Sequence, residues 1–315
     1  MKFANIIVDI SHEKLDRSFQ YRVPQELESQ IGEEDGLKER LLRMCRQNKL
    51  AAFSAVLILV VILMAIFAPV LAPYGEAEQD LISRLQGPSA AHWFGTDELG
   101  RDVFSRILYG SRLSLTIGIL PSIISLVVGI FFGLLAGYFG GWIDDVITRL
   151  MEAVRAIPQI ILAMALTAVF GSGIRNLAII LGISSMAGYV RMMRGQVLTI
   201  KQADYIMAGK LQGNKDFRLM FRHILPNSIS PIIVMMTQQV GSTILAEAGL
   251  SFLGLGISAP TASWGSMVSE GRNFLMDNPV YALVPGVCVA ILVISLNMLG
   301  DGVRDALDPR LRGES

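Results

Sequence analysis

The sequence predicts an all-α polytopic membrane protein with six transmembrane helices, and three observations carry that reading. Apolar residues make up 52% of the 315-residue chain and charged residues only 17%, with a mean hydropathy of +0.51. Such a chain meets lipid over much of its surface. Its charges are also unevenly placed, leaving long blocks with no Asp, Glu, Lys or Arg. Finally, the basic residues gather on alternate segments between those blocks. The 27 basic and 27 acidic residues give a formal net charge of zero, which argues against a generally basic nucleic-acid binder. Cys45 and Cys288 stand far apart and form no CxxC pair, so neither a disulfide scaffold nor a cysteine-rich metal site is expected.

The uncharged blocks give the spans in order. Leu50–Leu71 is long enough to cross a bilayer, and it begins too late in the chain for a cleavable signal peptide. Leu113–Ile143 supplies the second span and Ala156–Ile174 the third. Asn176–Val190 is the shortest, flanked by Arg175 and Arg191, whose stems can snorkel to the interfaces. His223–Ala246 and Asn278–Gly300 complete the set. With the N-terminus inside, only Arg84, Arg101, Arg106, Arg112, Arg175 and Arg272 fall on outer segments. The excess of Lys and Arg on the other side places both termini in the cytoplasm. Within the second span, Gly129, Gly133 and Gly137 recur every four residues. On a helix they form one ridge of small residues against which another backbone can pack. Gly140-Gly141 then predicts a turn before the amphipathic segment Trp142–Ala156.

The domain reading follows these blocks. Residues 33–49, with Leu37, Leu41, Leu42 and Met44 among charges, form a cytoplasmic amphipathic lead-in. Residues 50–71 are the first span, 72–112 an extracytoplasmic segment, 113–300 a five-helix core with a cytoplasmic loop at about 191–228, and 301–315 a cytoplasmic tail. Residues 1–32 stand apart. The stretch MKFANIIVDISHEKLDRSFQYRVP is polar and charge-rich, and it resembles the N-terminal start of the primosomal replication-restart helicase family. That resemblance covers about a tenth of the chain and includes no helicase motif. The segment is therefore read as foreign to the rest, a fusion or a join between two sequences, in preference to a native extension, and no nucleic-acid partner is inferred from it.

Signatures of enzymes are missing. No G-x-x-x-x-G-K-[ST] loop is present to hold nucleotide phosphates, and no H-E-x-x-H or G-x-S-x-G occurs. His12, His92 and His223 are scattered, the last two on opposite sides of the predicted membrane, so no metal site is expected. Met235 and Met236 read as adaptable packing.

The loop Ala203–Pro231 is more informative. Tyr205, Met207, Ala208 and Leu211 share one side of a short helix, Lys210 projects elsewhere, and Gly213 is placed to end that helix in a left-handed conformation. A second helical run, Lys215–Ile224, stops near Pro226. A helix-turn-helix of this kind presents a compact knob to a groove on a soluble partner. The loop is similar to the EAA coupling loop of ABC importer permeases, with Ala208, Gly213, Leu225 and Pro226 at matching places. Met207 stands where the pattern has Glu, and Gly209 where it has Ala.

Four further segments resemble the dipeptide, oligopeptide and nickel permeases. Phe94–Arg106 follows FGTDxxGRDxxSR, and Ala246–Gly256, Trp264-Gly265 and Leu299–Arg310 match in order. The resemblance covers about residues 37–312 and points to the C-type subunit with the type I ABC importer permease fold. It implies a bacterial inner-membrane subunit that pairs with a homologous permease. It also implies two cytoplasmic ATPases that carry ATP and Mg, an extracytoplasmic solute-binding protein, surrounding lipid, and no cofactor on this chain. The solute class it allows spans dipeptides, oligopeptides, glutathione-like compounds and nickel chelates.

Residue roles remain expectations. In the outer motif, Thr96 or Asp97 caps a short helix, Asp102 and Arg106 pair across one turn, and Gly95, Gly100 and Gly110 allow close turns. Together with Arg101 they read as a clamp bracing the second span, in preference to direct substrate contact, and Arg101 and Asp102 are alternatively placed to meet the binding protein. Glu247, the lone acid of its apolar stretch, either meets the amino terminus of a passing peptide or braces the Gly-rich loop. Gln238, Gln239, Ser242 and Thr243 line a polar path or tie helices together. The rival functions are a secondary transporter or channel driven by an ion gradient, and a structural membrane scaffold.

Overall fold

The computed structural model describes residues 48–257 and 259–307. The anomalous segment 1–32, nearly all of the lead-in and the last residues of the tail lie outside the described residues.

Helix α1, Lys49–Leu71, begins at Asn48, whose side chain accepts from the Ala51 amide at 3.1 Å. Near its far end Pro69 has no N–H to offer the Ala65 carbonyl. The Arg112 guanidinium fills that vacancy, donating to the Ala65 carbonyl and, at 3.0 Å, to that of Ile66. Arg112 belongs to α2, Val103–Phe139, so the proline of one helix becomes the attachment point of the next. At 37 residues α2 is about 55 Å long, well beyond a hydrocarbon core of about 30 Å.

After Gly140, with φ +67°, come α3, Gly141–Ala156, and α4, Gln159–Phe170. Their axes differ by 89° across Ile157-Pro158. Then follow α5, Ile174–Lys201, and α6, Asp204–Leu211. Helix α7, Asp216–Phe252, is long, α8, Trp264–Gly271, is short, and α9, Pro279–Leu307, closes the chain. Helices α1, α2, α5, α7 and α9 are each long and apolar enough to cross a membrane, and the bent pair α3–α4 makes a sixth candidate.

The glycine ridge of α2 sets the packing. A Cβ on Gly133 would lie 2.6 Å from the Cβ of Met193, one on Gly137 would lie 2.7 Å from that of Val197, and one on Gly129 would collide with Tyr189. Those three partners are also four residues apart, all on α5 and all buried. The Ser125 hydroxyl extends the seam, donating to the Gly182 carbonyl at 2.7 Å. Partner numbers rise together on the two helices, so α2 and α5 run parallel. The intervening α3 and α4 must therefore carry the chain back from one end of the bundle to the other.

Three sequence expectations are corrected here. The third block is no single span, because Pro158 disfavours helix at Ile157 and leaves α4 only 12 residues. The shortest block lies inside a 28-residue helix that runs through Arg191 and Arg194 to Lys201, so the loop expected from about 191 begins at Gln202. Pro226 ends nothing. The stretch Leu219–Ile224 is a π-helical turn, in which the Leu225 amide reaches back to the Met220 carbonyl. That extra residue per turn lets the helix absorb a proline without an orphaned carbonyl breaking it.

Gly133→Leu forces a branched side chain into the Met193 Cβ and the Val190 carbonyl, each 2.6 Å from where its Cβ would lie. We expect it to lower the stability of the purified protein by about 1–3 kcal/mol or more, read as a fall in its melting temperature. Gly141→Leu has space in front of the residue but suffers from a positive φ, and serves as the comparison without a seam collision.

Candidate functional site

Functional side chains concentrate at the two ends of the bundle. At the end bearing α6, Ile206 is the anchor: it is 3% exposed and packs with Met193, Val197, Leu219, Met220 and Ile224. The expectation that Tyr205, Met207, Ala208 and Leu211 form the active side of the helix omitted Ile206, which lies between them. With Ile206 inward, Tyr205, Met207, Ala208, Lys210 and Leu211 are all exposed, Leu211 by 90%. Phe217 and Phe221 extend this apolar surface, their rings 4.4 Å apart. Gly213 has φ +79°, and the bonds Gly213 N–H to Lys210 O at 3.0 Å and Asn214 N–H to Gly209 O at 3.1 Å close the helix end. Gly209 has its own reason to lack a side chain, since a Cβ there would press to 3.1 Å from Leu219. Leu225, half-buried, and Pro226, exposed, lie outside α6, where the π-turn gives way to regular helix.

The knob is tied to three helices. Asp216 accepts from the Tyr138 hydroxyl at 2.5 Å, at the end of α2. Lys201, the last residue of α5, donates to the Tyr138 carbonyl. Helix α7 rises from the knob without interruption.

At the opposite end lies a buried cluster of charges. Asp97 accepts from the amides of Leu99 and Arg101, both at 2.9 Å, and from the Arg101 Nε at 2.5 Å. Arg106 approaches Asp97 at 3.4 Å and Glu270 of α8 at 3.5 Å. Arg101 reaches Glu98 at 3.2 Å and Glu270 at 3.6 Å. Arg101 and Arg106 are both fully buried, which requires this ring of carboxylates. Burial works against the Arg101 charge, and Asp97 more than offsets it, so its pKa is raised. Burial pushes the Glu270 carboxyl above its ordinary range, against the opposing pull of the Tyr281 hydroxyl and the two arginines.

The expected pairing within the motif is different in detail. Asp102, not Thr96 or Asp97, caps α2, accepting from the Ser105 amide at 2.8 Å. Its other oxygen meets His92 Nδ1 at 2.9 Å, so Asp102 does not pair with the Arg106 side chain. Thr96 instead bonds the Ser83 carbonyl and accepts from the Gln86 amide at 2.9 Å. Gly95 and Gly100 have φ +74° and +75°, and a side chain on either would strike the backbone at Gln86 or Asp80. Gly110 makes no turn; it lies within α2 and leaves room for Trp264, 3.1 Å from where its Cβ would be. Arg101 and Asp102 are both buried, and their polar contacts lie within this chain. Glu270 was missed, although it is the only acid between Glu247 and Asp277.

The polar residues of α7 divide between faces. Gln238 and Ser242 are exposed, and Gln238 meets Asp301 at 3.4 Å. Gln239 and Thr243 point toward α5, where Gln239 Nε2 donates to Ser185 Oγ at 3.1 Å. Gln159 Nε2 of α4 donates to the same hydroxyl at 2.9 Å. Glu247, one turn beyond Thr243, is buried and accepts from Ser251 at 2.8 Å and Ser263 at 3.0 Å. Both donors flank the Gly-rich loop, one on either side of it.

Asp97→Asn would turn amide protons toward two buried guanidinium groups. We expect a loss of about 3–5 kcal/mol in unfolding experiments, whereas Glu98→Gln, on the half-buried rim of the cluster where only one oxygen meets Arg101, should cost less, about 1–2 kcal/mol.

Comparison with known proteins gives this geometry a family. Residues 129–313 match the model for the binding-protein-dependent transport system inner membrane component. Residues 39–88 match the N-terminal transmembrane domain of oligopeptide transport permease C. A dipeptide transport system permease protein of Alkalihalophilus pseudofirmus is 45% identical over 270 residues, 86% of this chain and 89% of that protein. A glutathione transport system permease protein of Pectobacterium atrosepticum is 42% identical over 86% of this chain and 90% of its own length. An oligopeptide transport system permease protein of Bacillus subtilis is 40% identical over 87% and 90%. The chain belongs to the family of binding-protein-dependent transport system inner membrane components, as a multi-pass permease subunit.

Proposed function

We propose that this permease is one of two homologous membrane subunits of an ATP-driven importer for small peptides or closely related solutes. Two ATPase subunits, which carry ATP and Mg, dock on the α6 end, and a solute-binding protein delivers cargo at the α8 end. The distribution of Lys and Arg supports placing α6 and both termini on the cytoplasmic side. The names of the relatives, which specify dipeptides, oligopeptides and glutathione, support the solute class.

One observation carries the coupling role: an exposed apolar knob that is braced from within. Tyr205, Met207 and Leu211 face outward while Ile206, Asp216 and Lys201 hold the knob to α2, α5 and α7. A groove on an ATPase that grips the outer residues moves three helices at once, exchanging inward- and outward-facing arrangements. Met207, in place of the acidic residue of the family pattern, makes the grip apolar rather than ionic. A gradient-driven transporter needs ionisable groups facing its path, and Glu247 is instead taken up by two serine hydroxyls.

Gly213 tests this role, because its positive φ disfavours a β-branched side chain while the space around it is open. In the fully assembled importer, Gly213→Val should lower ATP-driven uptake by roughly tenfold or more while ATP hydrolysis continues, a cost of order 1–3 kcal/mol at the helix end. Gly213→Asn, which tolerates that backbone region, should retain most uptake. Normal ATPase docking with normal flux in the valine variant would return the loop to a surface connector.

A further inference from the structure

Between α3 and α5, just before the bend at Ile157-Pro158, lies a cleft of about 420 Å³. Its floor includes Met151 and Val190, and its charged rim is formed by Glu152, Arg155, Arg191 and Arg194. Arg194 is matched by Asp144, with both oxygens engaged at 2.5 and 2.6 Å. Glu152, Arg155 and Arg191 form no ion pair among the described residues, and all three are exposed. The cleft thus presents two unmatched guanidinium groups and one unmatched carboxylate over an apolar floor.

The surroundings argue for a route rather than a dead end. Non-helical backbone within a membrane bundle persists where it borders water or is covered by protein, and this cleft abuts the break. Just past the break, Gln159 and Gln239 both donate to Ser185, which lies two residues before Ala187 of the cleft lining. Thr243 continues the row one turn along α7. Polar side chains therefore flank the break just beyond the cleft, on the same stretch of α5.

We propose that the cleft is a solute station that holds a small zwitterionic peptide, its carboxylate on Arg155 and Arg191 and its ammonium on Glu152. The volume suits a ligand of that size, and paired guanidinium groups match a carboxylate in geometry as well as charge. The inference rests on the transport reading above and adds to it which ends of the solute this subunit recognises.

The test uses the assembled importer in phosphatidylcholine nanodiscs, without the binding protein, and three radiolabelled probes: dialanine, N-acetyl-dialanine and dialanine amide. Dialanine should bind at least about tenfold more tightly than either blocked form. Arg155→Gln with Arg191→Gln should abolish the preference for the free carboxylate and spare that for the free amine. Glu152→Gln should do the reverse, and Arg155→Lys with Arg191→Lys should keep part of the carboxylate preference. Equal binding of all three probes to the unmodified importer, or preferences that persist in the variants, would overturn the station. If phosphatidylglycerol displaces dialanine and the double glutamine variant co-purifies with less of that lipid, the cleft is a headgroup site and the proposal fails. ATP-driven uptake of dialanine with the binding protein restored separates the two readings. Uptake without end-group discrimination in the cleft sinks the station alone, whereas no uptake of any form sinks the peptide importer with it.

Discussion

Everything else in the bundle depends on the contact of α2 with α5 through Gly129, Gly133 and Gly137. Without side chains at those positions the two helices meet backbone to side chain along their whole shared length, opposite Tyr189, Met193 and Val197. In lipid no hydrophobic force drives helices together, so close packing of this kind is the main source of association. The seam also determines direction. Because it aligns α2 and α5 in parallel, the chain between them has to recross the bundle. The bent pair α3–α4 is the consequence, and the charged cleft sits in the space that bend opens.

The two ends of this rigid pair are finished in different ways. At one end charges are buried: Asp97, Arg101, Arg106 and Glu270 join the start of α2 to α8, and Tyr281 of α9 donates to Glu270 at 2.8 Å. Breaking one partner there leaves an uncompensated charge, so the cluster resists partial opening. At the other end apolar groups are left uncovered. Leu211 and Phe217 face outward from a knob whose inner side is locked by Ile206. In the proposed importer, a stiff cluster at one end and a knob gripped by an ATPase at the other would turn the helices between them into levers.

The sequence displayed much of this and hid some of it for identifiable reasons. Glycines four apart are a surface property of one helix, so the ridge was legible, and so was Gly213, whose only requirement is local. Span positions were legible, but charged residues hid how far two helices run past their apolar blocks, α2 back to Val103 and α5 on to Lys201, and two further misreadings lie at Ile157-Pro158 and Pro226. Both involve proline, but one breaks the helix and the other is absorbed by a π-turn; that choice depends on tertiary packing, which sequence does not display. The outer motif announced a clamp, yet its partners came out differently. Asp102 and Arg106 are spaced for a helical pair, but each faces other groups, His92 for one and Asp97 with Glu270 for the other. Gln238 and Gln239 are neighbours in sequence, but a helix turns about 100° per residue, which divides them between α9 and α5.

The central claim is that ATP hydrolysis on partner subunits, relayed through α6, drives solute through this permease. The most direct measurement is uptake of a labelled dipeptide into proteoliposomes that contain the two permeases, the two ATPases and the binding protein. ATP supplied on the α6 side should drive uptake in the absence of any ion gradient. A proton gradient without ATP should drive none. Uptake that follows the gradient and ignores ATP would contradict the account and identify a secondary transporter.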